Sequence, residues 1–343
     1  MNKKNILDLF SGCGGLSLGF EQVGFNILAG VDCWKDALET FQANHENSLA
    51  IQHDLLKPDF NSISNQLTEK VNVIIGGPPC QGFSISGKRN PDDPRNKLYI
   101  GFVEAIKHFQ PEAFVMENVP NLASMQKGLI IETILNEFKE LGYKTFHKIL
   151  LASDYGVPQN RKRLFIVGFK HDVKFCFPSP HSKKVNSEEA ISDLPENDMV
   201  DGASYTIDIK SEYQKLMREK SKQLFNHQTT THTDQTKSII AMVPDGGNYK
   251  DLPIELRNTR NVNIAWTRFN SKKPSHTIDT GHRHHFHYKF NRVPTVRESA
   301  RLQSFPDNFI FHSSKTSQYK QVGNAVPPIL AAELAKKILE VLK

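Results

Sequence analysis

A chain of 343 residues, 38% of them hydrophobic, is long enough to bury an ordinary core and to form one large and one smaller domain, or two comparable ones. No stretch approaches the roughly 20 apolar residues of a membrane span, and Met1-Asn2-Lys3-Lys4-Asn5 leads into a strand-like run without a signal-peptide core, so a cytoplasmic protein without membrane contact is expected. Its four cysteines (Cys13, Cys33, Cys80, Cys176) show no CxxC or metal-ligand spacing, which argues against a disulfide framework and a zinc site, and the net charge of +6 is mild.

In chain order, short apolar runs predict strands over residues 5–10, 26–32, 49–53, 71–76, 113–117, 145–152 and 164–169. Between them, helical spacing of apolar residues appears over 16–23, 35–44, 98–109 and 129–141. This alternation predicts an α/β fold, a doubly wound and mostly parallel sheet with ligands bound beyond the carboxyl ends of its strands. Residues 178–250 are polar with weak periodicity and yield only a few short helices, such as 211–222. The stretch 261–291 mixes Trp266, Phe269, Phe286 and Tyr288 with Arg and His, as an irregular second domain would. Strong helices return over 295–305 and 328–343. Between Glu255 and Arg301 ten basic residues stand against three acidic ones, a surplus of seven that leaves the remainder of the chain at −1. Such a segment is expected to supply a polyanion-binding face, although a solvated surface has the same composition.

Several segments carry chemistry. Asp8-Leu-Phe-Ser-Gly-Cys-Gly-Gly-Leu16 leaves a strand and opens a helix, so its glycines permit a tight turn close to a ligand. It lacks both the GxGxxG spacing for a pyrophosphate and the lysine of a P-loop. With Asp32 and Asp54 ending or following the next strands, the set suits a nucleoside with a phosphate-free tail; capping aspartates beside a glycine turn would read the same way. Gly76-Gly-Pro-Pro-Cys-Gln-Gly-Phe-Ser84 is far more specific, because two prolines stiffen the backbone before a lone cysteine and hold the Cys80 sulfur as a potential nucleophile. The polar loop that follows, through Ser84, Ser86, Lys88, Arg89 and Arg95, could close over a substrate and meet phosphates. Glu117 ends another strand, where partial desolvation would raise its pKa and suit it to donate a proton. Arg161 and Arg163 alternate at the entry to a strand, so both should point to one face and suit a carbonyl oxygen or a phosphate.

Together, and with Arg297-Glu-Ser-Ala-Arg-Leu-Gln-Ser-Phe-Pro306 and Tyr319-Lys-Gln-Val-Gly-Asn-Ala-Val-Pro-Pro328, these segments resemble the DNA (cytosine-5) methyltransferase family of bacterial restriction–modification systems. The resemblance covers nearly the whole chain and fails only over about 178–261. It implies a class I S-adenosylmethionine-dependent, Rossmann-like catalytic domain over 1–170 plus 306–343, and a smaller target-recognition domain over 171–305. It implies that S-adenosyl-L-methionine is held by Phe10 stacked on adenine, Asp32 on the ribose and Asp54 on the adenine amino group. Ser11, Gly12, Gly14, Gly15, Leu16, Cys33, Leu55, Pro79, Leu98, Asn324, Ala325 and Val326 complete that set. One departure is visible: many relatives place an aromatic residue directly after the ribose-binding acid, whereas here Cys33 intervenes before Trp34.

The resemblance further implies that Cys80 is the nucleophile, that Glu117 touches N3 and N4 of the cytosine and Arg163 its O2, and that Arg161 is more structural. Cytosine C5 is too weakly nucleophilic to take a methyl group unless a thiolate first adds at C6, and C6 is reachable only in a flipped-out base. Thr277 and Ile278, in a Thr-hydrophobic element, should lie near that base. Arg283, within His282-Arg-His-His-Phe-His287, should read a guanine or a phosphate. These histidines are expected to line the DNA face, with protonation making binding pH-dependent and no metal bound. Double-stranded DNA is the expected partner and a monomer the expected state. A companion restriction endonuclease would form no stable complex, and a solitary enzyme would carry the same residues. Two alternatives stand beside this reading. One is a tRNA-directed relative, whose characteristic Cys-Phe-Thr segment is absent here; the other is a catalytically silent DNA-binding relative, opposed by intact Cys80, Glu117 and Arg163.

Overall fold

The computed structural model describes residues 3–79, 98–259, 266–281 and 284–342, with the side chains of 258 and 259 set aside. Two compact units are present: residues 1–151, 162–180 and 330–343 form the first, and residues 152–161 and 181–329 the second. Residues 152–161 and 306–329 thus cluster with the smaller-domain sequence, where the resemblance implied a catalytic-domain place for them.

The first unit is built on β1 (Asn5–Leu9), α1 (Gly15–Gln22), β2 (Asn26–Asp32), α2 (Lys35–Asn44), β3 (Leu49–Gln52), α3 (Phe60–Ser64), β4 (Val73–Gly76), α4 (Leu98–Phe109), β5 (Ala113–Asn118), α5 (Leu129–Glu140), β6 (Lys144–Leu151) and β7 (Lys162–Phe169). Among the described residues these seven strands make one sheet in the order β3-β2-β1-β4-β5-β7-β6. β1 to β5 pair in parallel, and β7 runs antiparallel to both β5 and β6. β1 and β4 are buried at every position, as a central strand covered on both faces requires, and their apolar runs accordingly do not alternate. β6 lies at the edge and is largely exposed or half-buried.

Side chains alternate across the sheet. On one face Leu7, Leu9, Ile74, Phe114, Met116 and Ile166 pack with Phe60 and Ile63 of α3, Phe102, Ala105 and Ile106 of α4, and Ile131, Ile134 and Phe138 of α5. The helical residues recur at intervals of three and four, which turns one stripe of each helix inward. Phe114 stands 4.2 Å from Phe138 and 6.1 Å from Phe102 between ring centroids, and each buried ring stabilises the unit by about 1.5–3 kcal/mol. The other face takes α2, where the Phe41 ring occupies the space a side chain at Gly30 would need.

The second unit has little regular structure: α6 (Ser187–Ile191), β8 (Ala203–Ser204), α7 (Glu212–Arg218), β9 (Gln223–Leu224), α8 (Asp234–Met242), β10 (Thr267–Arg268), β11 (His285–Phe286), α9 (Val296–Leu302) and α10 (Lys315–Asn324). α11 (Pro328–Val341) follows, with its residues from Leu330 onward in the first unit. A small apolar cluster (Ile239, Ile240, Val243, Leu252, Trp266, Phe286, Val293) is joined by a buried ionic network around α9. Every residue of α9 is buried, Arg297, Glu298 and Arg301 included. Thr295 and Glu298 form a capping box, and the Arg292 guanidinium grips both Glu298 oxygens at 2.7 Å. That partner holds the Glu298 carboxyl well below the usual range against its burial. Among the described residues no helix is long and apolar enough to cross a membrane.

This network corrects two sequence expectations. Of the ten cations between Glu255 and Arg301, Arg268, Arg292, Arg297 and Arg301 are buried and bound to internal partners, so the surplus charge is only partly a polyanion-facing surface. His285 and His287 are also enclosed, and burial pushes them down to about 4 and about 3. Burial thus disfavours their charged forms, against the expected protonation; His282 and Arg283 lie outside the described residues.

Candidate active site

At the carboxyl end of β1 the backbone reverses at Phe10, whose φ of 58° is uncommon for a residue with a side chain, and at Gly12 and Gly14, with φ of 53° and 92°. This turn aims the Gly12 N–H at Asp32, whose Oδ2 accepts it at 2.8 Å while Oδ1 accepts the Trp34 N–H at 2.9 Å. Cys33 adds backbone and thiol hydrogen bonds to the same carboxylate. Burial raises the Asp32 carboxyl above its ordinary range, against the pull of those N–H groups. Trp34 is thereby pinned beside the carboxylate even though Cys33 precedes it, and Cys33 itself is exposed. Asp54 is exposed and accepts the Leu56 N–H at 2.9 Å, while Leu55 is buried with its carbonyl against Gly101 of α4. Burial pushes the Cys13 thiol up to about 12, which leaves it inert.

Beneath the turn, Asp8 is fully buried and accepts the Ser17 hydroxyl at 2.6 Å, while its Oδ1 has no hydrogen-bond partner among the described residues. Burial raises it from 3.8 to about 8, with the nearby Asp32 charge adding to the rise and Ser17 opposing it. Between those values the folded protein keeps a proton that the unfolded chain has released, so stability falls as pH rises and levels off above about pH 8, by up to about 1.4 kcal/mol per pH unit. Asp8→Asn should therefore gain stability relative to the parent between pH 5 and 8. Urea denaturation across that range measures it, and parallel stability profiles for the two proteins would contradict it.

A second constellation forms where β4, β5 and β7 meet. β5 pairs with β7 so that Asn118 faces Leu164, which brings Arg163 beside Glu117; Arg163 Nε lies 2.8 Å from Glu117 Oε1, and both side chains are mostly buried. Glu117 Oε2 is 3.0 Å from the position a β-carbon would take on Gly77. Asn118 Nδ2 donates to the Pro78 carbonyl at 2.9 Å, so the Gly77-Pro78-Pro79 lead into Cys80 is fastened to the residue after Glu117. Cys80, Ser84, Ser86, Lys88, Arg89 and Arg95 lie outside the described residues, and Leu98 opens α4, half-buried.

In the second unit Arg161 is 1% exposed and its Nη2 donates to the Asn324 carbonyl at 3.4 Å. Arg161 precedes β7, which begins at Lys162. Asn324 ends α10, with Ala325 as its cap. Thr277 is exposed with its hydroxyl donating to the Asn160 carbonyl at 3.1 Å, and Ile278 is buried. Sequence reasoning passed over Asn118 and Gln159, which stand beside residues it named, and Gln303, which lies within Arg297–Pro306.

An open sheet with a glycine turn after β1, a carboxylate ending β2 and a carboxylate–guanidinium pair at the β5–β7 junction is an α/β fold of the kind that binds ligands beyond the carboxyl ends of its parallel strands. The comparisons make this specific. Residues 4–340 match the family model for C-5 cytosine-specific DNA methylase, and the chain belongs to that family of DNA methyltransferases. It is 39% identical over 339 residues to the type II methyltransferase M1.HphI of Haemophilus parahaemolyticus, spanning 97% of this chain and 86% of that protein. It is also 39% identical over 368 residues to M.DdeI of Desulfomicrobium norvegicum, spanning 97% and 88% respectively. A solved E. coli structure described as a prophage-encoded DNA modification methyltransferase superposes with a TM-score of 0.84 at 29% identity, covering 99% of both chains. The expected family and α/β sheet are thus borne out.

Proposed function

We propose that this methyltransferase forms a covalent bond from Cys80 to C6 of a flipped-out cytosine in a specific duplex DNA site and methylates C5 from S-adenosyl-L-methionine. The observation that carries the reading is the Glu117–Arg163 pair beside the fastened Pro78-Pro79 lead into the nucleophile's position. The donor set at the glycine turn fits the methyl donor. Phe10 offers an aromatic face, Asp32 and Asp54 offer acceptors for hydroxyl and amino groups, and no lysine or arginine stands in the turn to demand a phosphate. Ser11, Gly12, Gly14, Gly15, Leu16, Cys33, Leu55, Pro79, Leu98 and the segment Asn324, Ala325 and Val326 are assigned to the same ligand by their place in the family's motifs.

The methyl donor supplies an electrophilic carbon. Cys80, as thiolate, adds to C6 and pushes electron density toward C5. Glu117 binds the N3–N4 edge and stabilises or protonates N3, and Arg163 holds both Glu117 and the O2 of the base. C5 would then take the methyl group as its bond to the donor's sulfonium sulfur breaks, leaving S-adenosylhomocysteine, and loss of the C5 proton to a base would restore the ring and expel Cys80 as thiolate. Arg161 supports the Asn324 segment. Ser84, Ser86, Lys88, Arg89 and Arg95 are assigned to contacts with the DNA, and residues 171–305, through Thr277, Ile278 and Arg283, recognise the target. The chain serves as the modification component of a restriction–modification system, acts as a monomer and needs no metal.

Labelled methyl groups should enter duplex DNA and not tRNA when both are offered with the purified protein. Incorporation only into tRNA would overturn the substrate, and methylation sequencing of a host expressing the chain would identify the site.

A further inference from the structure

Two fully buried glutamine side chains, Gln159 and Gln303, connect two segments of the second unit that the proposed function assigns to different ligands. The Ile278 N–H donates to Gln159 Oε1 at 3.1 Å. Gln159 Nε2 donates to Gln303 Oε1, and Gln303 Nε2 donates to the Ala325 carbonyl at 2.5 Å. The result is an unbroken run of amide hydrogen bonds from the target-facing segment 277–278 to the cofactor segment 324–326.

The run has one allowed direction. Turning either amide over would set Gln159 Nε2 against the Ile278 N–H, or Gln303 Oε1 against the Ala325 carbonyl, donor facing donor or acceptor facing acceptor. Both backbone ends must therefore be in place together for the two enclosed amides to be satisfied, and displacing either end strands a polar group that water does not reach. The backbone packs in the same sense. A β-carbon on Gly323, just before Asn324, would collide with the Asp279 carbonyl and reach within 2.9 Å of Thr280 Cα. Asn160 and Ser275 also tie the two strands of this region, Asn160 N donating to the Ser275 carbonyl at 2.8 Å and Ser275 N to the Pro158 carbonyl at 2.9 Å.

We infer that Gln159 and Gln303 are positioning residues that couple the methyl-donor segment to the target-base segment, so that filling one prepares the other. Such coupling is reciprocal: whatever factor the cofactor adds to DNA affinity, DNA adds to cofactor affinity. This rests on the assignment of segments 324–326 and 277–278 made above.

S-adenosylhomocysteine, whose binding is followed by calorimetry, is the probe. In the native protein without DNA it should slow hydrogen exchange at the Ile278 amide by about fivefold or more. It should also tighten binding of the site-bearing duplex by a similar factor. In Gln303→Met, which keeps the volume but removes donor and acceptor together, that tightening should shrink to within about twofold of unity. The variant should still bind S-adenosylhomocysteine and the duplex separately. If the ligand binds the native protein and the Ile278 amide does not respond, or a folded Gln303→Met retains the full tightening, the coupling is refuted while the cofactor assignment survives. If S-adenosylhomocysteine fails to bind at all, the cofactor assignment falls and takes this inference with it. Should Gln303→Met not fold, the exchange measurement on the native protein decides.

Discussion

Replacing Cys80 with serine is expected to lower methyl transfer to duplex DNA by at least about 10³-fold while leaving binding of DNA and cofactor largely intact. A hydroxyl in that position is a far weaker nucleophile at neutral pH than a thiolate, and every later step in the proposed route waits on the bond to C6. The side chains meant to receive the activated ring, Glu117 and Arg163, are already paired at 2.8 Å, so the variant should preserve the pocket and remove only the attack. A covalent complex with 5-fluorocytosine DNA should form with the parent and be absent from the variant. Methyl transfer at the parent's rate by Cys80→Ser would sink the mechanism.

The second large effect lies in the ionic network of α9. Arg301 is fully buried, with Nε and Nη2 each 2.6 Å from an oxygen of Asp307 and Nη1 2.9 Å from Asp193. Those carboxylates hold the guanidinium firmly in its charged form despite burial. Removing one member of such a group leaves enclosed, uncompensated charge, so Arg301→Met should cost about 3–5 kcal/mol in urea denaturation. Neutralising both partners as well, in Arg301→Met/Asp193→Asn/Asp307→Asn, should recover a good part of that loss. A single variant as stable as the parent would show that the network contributes little.

Periodicity marked the parallel sheet well because its central strands and covering helices bury apolar stripes, and the expected and observed bounds of β2, α2 and α4 coincide. The proposed catalytic segments were readable for a related reason: Pro78-Pro79-Cys80 and the strand ending at Glu117 combine residue types that core packing alone does not ask for. α10 escaped notice because its sequence, Lys-Thr-Ser-Gln-Tyr-Lys-Gln-Val-Gly-Asn, has hardly any apolar stripe and is fixed by its Ser314 cap and by tertiary contacts. The buried arginines escaped for the opposite reason. A guanidinium in solvent and one clasped by Asp307 or Glu298 are the same letter, and only the pairing of residues far apart in the chain tells them apart. The same holds for Gln159, whose partners Ile278 and Gln303 lie 119 and 144 positions away.

The reversed direction of β7 has a consequence for how the enzyme is assembled. The parallel strands β4 and β5 bring their last residues to the rim that holds Glu117, but β7, running the other way, brings its first. Arg163 thus reaches Glu117 as the chain enters the sheet, without a crossover helix to return it to that rim. The chain therefore enters β7 at the rim that holds Glu117 and leaves it at the opposite rim of the sheet.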